Sequence, residues 1–150
     1  VPTRKTKTAD RATSPVTVTG RPAPLALARV VEAVRLVMTK ERRRIPLSMT
    51  FIGPRAMRGL NRRWKGVDRP TDVLAFTLRN PGGGPVGDVY LCPAVVRSNA
   101  ARFGVPVRTE LLRVVIHATL HALGHDHPDG PGRTRSAMWR KQERYLACVA

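Results

Sequence analysis

Between Ala23 and Lys40, the residues Leu27, Val30, Val31, Val34, Val37 and Met38 recur at the spacing of one helical face, which predicts an amphipathic helix. The basic run Arg42 to Arg44 follows, where positive charge suits a helix C-terminus and reads as a solvated end. Leu47, Met49 and Phe51 alternate with Ser48 and Thr50, the period of a half-buried strand. Pro54 is placed as a first helical residue after Gly53, and Ala56, Met57, Leu60 and Trp64 mark a second helix ending near Gly66. Val16 to Thr19, Val73 to Thr77 and Val86 to Leu91 read as further strands, the last two separated by the loop at Gly82 to Gly84. Three more helices are expected: Pro93 to Phe103, a strongly apolar one over Leu111 to Leu123, and a basic amphipathic one over Thr134 to Ala147.

Strands that come early and helices that come late predict a single-domain α+β fold. A small mixed sheet of about four strands would pack with about five helices, the apolar fourth helix at the centre. A chain of 150 residues with 42% hydrophobic content has enough apolar surface for one core. Residues 1–15, rich in Thr, Arg and Lys, are expected to form a flexible basic arm ahead of a domain over residues 16–150. No apolar run approaches the roughly 18 residues that span a bilayer, and the N-terminal segment has no apolar signal core, so no membrane partner is expected. Cys92 and Cys148 form no ligand pair and no disulfide framework, which favours a reducing compartment. A cytoplasmic location is therefore expected, with a mitochondrion or other organelle as the alternative left open by the basic arm.

Charge narrows the choice of partner. The formal net charge is +17, and Lys5, Lys7, Lys40, Lys65 and Lys141 are the only lysines among 27 basic side chains. Arginine grips phosphate bidentately where lysine cannot, so a phosphate backbone is the natural partner for such a surface. A surface that merely aids solubility is the plainer alternative.

All four histidines lie between positions 117 and 127, in His117-Ala-Thr-Leu-His121-Ala-Leu-Gly-His125-Asp-His127. His117 and His121, four apart on a helix, project from one face and can bind one ion. Gly124 lets the chain turn so that His127 can return as third ligand. Three imidazoles with a free fourth position describe a catalytic zinc site holding one Zn²⁺, because a structural site usually closes with a fourth protein ligand. Helical histidines that are simply hydrogen-bonded core residues are the alternative. His125 reads as a neighbour of the ligands or a surface residue, and Asp126 as a partner orienting a ligand ring or a turn residue.

The same spacing occurs in zinc endopeptidases, where a Glu after the first His acts as general base. Here that position is Ala118, which counts against proteolysis. A metal ion can still polarise a phosphoryl oxygen and lower the pKa of water, and phosphodiester cleavage suits the cationic surface.

The histidine segment resembles the signature of the YbeY rRNA maturation endoribonucleases, similar to HGxLHLxGYDH, with Ala118 for Gly and His125 for Tyr. Leu60-Asn61, Trp64-Lys65 and Pro70-Thr71-Asp72-Val73-Leu74-Ala75-Phe76 resemble the family's LN..YR…PTDVLSF, and Gly87-Asp88-Val89 its GD[IV] strand. Glu110 before the metal helix and Met138 with Glu143 on the last helix also fit. The resemblance runs from about Val16 to Leu146. It implies a single-strand endoribonuclease maturing the 3′ end of small-subunit (16S) rRNA and acting in ribosome quality control, with His117, His121 and His127 holding the metal. It also implies single-stranded rRNA and the small ribosomal subunit as partners.

The family has an activity-linked Arg where this chain has Lys65, which keeps the charge without the planar fork. Lys65 and His117 are accordingly the candidate catalytic residues, with Arg62, Arg63 and Arg69 as possible substitutes for the missing fork. Thr71, Asp72 and Asp88 are read first as turn and strand-start residues. Two other classes remain: a ribosome assembly factor that binds rRNA around an architectural zinc, and a metalloendopeptidase.

Overall fold

The alternation at Leu47, Met49 and Phe51 builds the strand it predicts, all three side chains buried. A computed structural model of the chain describes residues 15–150, so the expected basic arm lies outside the described residues apart from Pro15. The elements are β1 (Val16–Thr19), α1 (Leu27–Glu41), β2 (Leu47–Phe51), α2 (Pro54–Lys65), β3 (Val73–Arg79), β4 (Pro85–Leu91), α3 (Pro93–Phe103), α4 (Val107–Ala122), a 3₁₀ turn (Gly130–Arg135) and α5 (Ala137–Val149). The fold is the expected single-domain α+β arrangement, with one four-stranded mixed sheet ordered β1-β2-β4-β3. β1, β2 and β4 run parallel, with Met49 opposite both Val18 and Val89, and β3 pairs antiparallel at the edge.

Period-two alternation assigns the two faces of this sheet. Leu47, Met49, Phe51, Val89 and Leu91 face a core shared with α1, α4 and α5. Leu74 turns to the other face, where Met57 of α2 covers it beside Cys92. Helix α4 is apolar on nearly every side and touches α1, α3, α5, β3 and β4. From Leu111 to Ala122 only Arg113 and His121 escape full burial. A helix apolar all round belongs in the interior, and that is where the two helical histidines are carried.

Several boundaries differ from expectation for local reasons. α1 begins at Leu27 rather than Ala23, because Pro22 and Pro24 hold the preceding residues in a turn. α4 begins four residues before Leu111, since Pro106 starts the helix and its polar first turn, Arg108 to Glu110, interrupts the apolar run. α5 begins at Ala137 rather than Thr134, because the Ser136 hydroxyl accepts the Trp139 backbone N–H at 3.1 Å and caps it. Trp64, placed on the apolar face of α2, is 59% exposed, its ring tilted against Phe76 at 5.5 Å between centroids.

The C-terminal end of α4 is unusually well satisfied for a terminus that launches a loop. The Ala122 carbonyl accepts from the Thr77 hydroxyl at 3.1 Å, and the Leu123 carbonyl accepts from Arg43. The run Arg42 to Arg44 is exposed, as a solvated helix end should be, and Arg43 in addition fastens the start of the histidine loop. Glu41 fastens the loop's other side. Its buried carboxylate accepts from the Tyr145 hydroxyl at 2.6 Å, Lys141 at 3.0 Å and the His125 ring at 2.9 Å.

Burial pushes the Glu41 carboxyl up, but the bonds from Tyr145, Lys141 and His125 outweigh it and bring it to about 2 from the ordinary 4.5. A carboxyl lowered in the folded state stabilises fully above about pH 4.5 and loses that contribution as pH falls toward 2. Glu41→Gln should therefore be less stable than the parent by about 3 kcal/mol at neutral pH. The gap should close between pH 4.5 and pH 2 in urea titrations of chelator-treated protein. A gap that stays constant across that window would rule out the carboxylate's charge as its source.

Candidate metal centre

His117 and His121 project from one face of α4, and the loop after it returns His127 to meet them. One ring nitrogen of each lies within 4.8 Å of the others. The ring centroids are 4.6 Å apart for His117 and His121, 5.0 Å for His117 and His127, and 4.9 Å for His121 and His127. The return depends on Gly124, whose φ of +97° suits glycine. There the Gly124 N–H bonds the His121 carbonyl at 2.9 Å, and the His125 N–H bonds the Leu120 carbonyl at 3.0 Å.

Every one of the three rings is oriented through Nδ1. His117 Nδ1–H donates to Gln142 Oε1 at 2.6 Å, His121 Nδ1–H to the His125 carbonyl at 2.9 Å, and His127 Nδ1–H to the Pro128 carbonyl at 3.0 Å. These acceptors fix the tautomer and leave each Nε2 with its lone pair directed at the shared point. Burial pushes the His117 imidazole down to about 4 against the Gln142 bond, with His121, Arg133 and His127 adding repulsion. His121 is lowered as well, first by burial and then by His127 and Lys65, opposed by its bond to the His125 carbonyl and by Asp126. Neutral imidazoles at pH 7 are what a divalent ion requires, so the donor set fits a metal such as zinc with at least one position left for water or substrate.

The cleft in front of the rings has a volume of about 580 Å³. Lys65, at the end of α2, lines it, as does Arg133 from the 3₁₀ turn. Arg62, Arg63 and Arg69 do not. Arg63 lies over the Trp64 ring at 5.6 Å, Arg62 is close enough to help lower the Asp68 carboxyl, and the Arg69 carbonyl accepts from Asn61 at 2.8 Å. His125 turns its ring away to Glu41 and contributes its carbonyl instead. Asp126 lines the cleft but accepts the His127 backbone N–H at 2.9 Å rather than any imidazole. Thr71 and Asp72 reach the cleft wall, where the Thr71 hydroxyl donates to the Asp72 carboxylate at 3.2 Å. Asp88 lies within β4 and accepts from Tyr90 at 3.0 Å, away from the histidines. Ala118 is fully buried in the core and brings no carboxylate to the site.

Gln142 is the residue that sequence reading missed altogether. It is 1% exposed, one turn after Met138 on α5, and its own Nε2 has no hydrogen-bond partner among the described residues. Gln142→Ala should weaken zinc binding by roughly 10- to 100-fold in a chelator competition, because the His117 ring loses its orienting acceptor. Gln142→Glu restores an acceptor and removes the orphaned donor, so its affinity should match or exceed that of the parent.

Fold and site together define an α+β protein in which three histidines, two on the central helix and one on the loop after it, converge where they could hold a metal ion, at a cleft lined by Lys65, Arg133 and three aspartates. A family model described as Endoribonuclease YbeY matches residues 23–150. The chain is 33% identical over 120 residues to Endoribonuclease YbeY of Thermotoga maritima, covering 80% of this chain and 78% of that protein. It is 37% identical over 118 residues to the Endoribonuclease YbeY of Chlorobaculum tepidum, covering 78% and 84%. A solution structure of a Thermotoga maritima protein superposes with a TM-score of 0.65 at 32% identity, covering 90% of this chain and 89% of that one. The chain belongs to the YbeY endoribonuclease family. Among the described residues no helix is long and apolar enough to cross a membrane.

Proposed function

We propose that this protein is a metal-dependent endoribonuclease that hydrolyses phosphodiesters of single-stranded RNA, using one Zn²⁺ held by His117, His121 and His127. The observation that carries this reading is the convergence of three tautomer-fixed imidazoles on a cleft that also presents Lys65 and Arg133. When bound, the ion supplies Lewis acidity toward a phosphoryl oxygen and lowers the pKa of water. Lys65 and Arg133 hold the phosphate, Arg133 with the planar fork that Lys65 lacks. The net charge of +17 gathers RNA, and affinity should fall steeply with salt as counterions are released. The relatives' name, endoribonuclease, supports RNA as the substrate, and we further propose, from the signature resemblance, that this RNA is the 3′ end of small-subunit rRNA, met in the cytoplasm on the small ribosomal subunit.

Ala118 weighs against a peptidase, since the position that holds its general base carries a buried methyl group. The deciding experiment incubates zinc-loaded protein with an RNA carrying the single-stranded 3′ region of small-subunit rRNA, with and without chelator. Cleavage abolished by chelator and restored by zinc is expected. Tight binding without turnover would replace the enzyme with an rRNA-binding assembly factor around an architectural ion.

A further inference from the structure

A second cavity of about 400 Å³ adjoins the metal cleft, and the two share Asp72, His117 and Arg133 as walls. Its volume is in the range that takes small planar ligands, and its chemistry differs from that of the cleft. Phe103, Val114 and Trp139 give it apolar surfaces, and the Phe103 ring is 58% exposed at the end of α3. The polar floor is Glu110 and Glu143, clamped by one cation between them: Arg113 Nη1 to Glu110 at 2.5 Å and Arg113 Nε to Glu143 at 2.8 Å.

Charge decides which part of a nucleotide belongs where. The cleft sets Lys65 and Arg133 against Asp72, Asp126 and Asp129, and a divalent ion at the histidines would tip that balance to positive, so it takes phosphate. The second cavity sets Arg113 and Arg133 against Asp72, Glu110 and Glu143 with no ion to offset them, so a phosphate there would meet an excess of carboxylates. Those carboxylates have more lone pairs than Arg113 occupies, so they are acceptors in want of N–H donors. A flat ring carrying an amino group satisfies both the apolar walls and these acceptors.

We propose that this cavity binds the base of the nucleotide next to the phosphate held at the metal centre, and that it prefers bases with an exocyclic amino group over uracil. The proposal rests on RNA being the substrate. The aromatic rings supply stacking surfaces, and Glu143, partly exposed at the cavity, accepts from the amino group. Arg133, common to both cavities, links the base to its phosphate.

Cytidine and uridine hexamers joined by phosphorothioate linkages, which resist hydrolysis, provide the test. They differ at the ring position that carries the amino group. Zinc-loaded full-length chain carrying Trp64→Phe reports through Trp139 alone, since the protein has two tryptophans. The cytidine hexamer should quench Trp139 and bind about tenfold tighter than the uridine hexamer, the value of one good hydrogen bond to a charged acceptor. Phe103→Ala should weaken both hexamers at least about fivefold. Glu143→Ala should bring the two affinities together without altering zinc content. Equal affinities in the parent, binding without Trp139 quenching, or a Phe103→Ala variant that binds as tightly as the parent would each overturn the proposal. Cytidine preference with quenching in a protein that shows no chelator-sensitive cleavage would leave the base site standing and remove the nuclease reading. Zinc-dependent cleavage without base preference would do the reverse.

Discussion

His121→Ala is expected to lose the bound zinc and, with it, RNA cleavage by more than the roughly 100-fold that loss of an orienting neighbour costs. One of three convergent nitrogens disappears, and among the described residues no other His, Cys, Asp or Glu joins this cluster to replace it. The position is chosen because His121 is half-buried, whereas His117 is only 7% exposed and its truncation would also open a cavity. Stability of the metal-free form should change by no more than about 1 kcal/mol, since the lost ring leaves a solvent-facing gap. Zinc per chain by elemental analysis, cleavage rate and a urea midpoint taken in chelator separate the outcomes. Full zinc content in a folded His121→Ala protein would mean that the ion is held elsewhere.

Gly20→Ala is expected to cost about 3 kcal/mol or more, the largest loss of stability for so small a change. Gly20 follows the last residue of β1 at φ +91°, and a Cβ there would come within 2.3 Å of the Phe51 carbonyl oxygen. That oxygen belongs to the backbone of β2, which is locked between β1 and β4, so nothing flexible can yield. Gly59→Ala makes the matching control. It lies in an exposed turn of α2 with nothing within 4 Å of the added carbon, so the same substitution should stabilise by roughly 0.5–1 kcal/mol. Urea unfolding of both variants measures the contrast, and equal effects would show that backbone conformation and contact at Gly20 are relaxed.

The architecture and the convergence of the three histidines were legible because their signals are local. Period-two alternation at Leu47 to Phe51 and the i, i+4 pair at His117 and His121 each lie within one element. Gly124 announced the loop that brings His127 back. What supports the ligands was not legible, because it arrives from distant segments. Gln142 is separated from His117 by the loop and the 3₁₀ turn, and an amide on an amphipathic helix looks like any solvent-facing residue until α5 docks on α4. Glu41 sits beside a run of arginines and reads as part of a charged helix end, yet it anchors the loop through His125. Arg133 lies in a Gly- and Pro-rich stretch that predicts only a turn. Trp64 failed in the opposite sense: helical spacing put it on the apolar face, but β3 covers only part of the ring and leaves the rest in water.

Two of the three imidazoles lean on carbonyl groups of the main chain, at His125 and Pro128, and no change of side chain at those positions deletes a carbonyl. Only the partner of His117 is a side chain. The electron density that the three rings would lend to an ion held there can therefore be adjusted by side-chain substitution at a single orienting position. Sequence drift around the histidine loop can alter its shape while leaving the basicity of His121 and His127 almost fixed, so any tuning of affinity for an ion at the three rings would be concentrated at position 142.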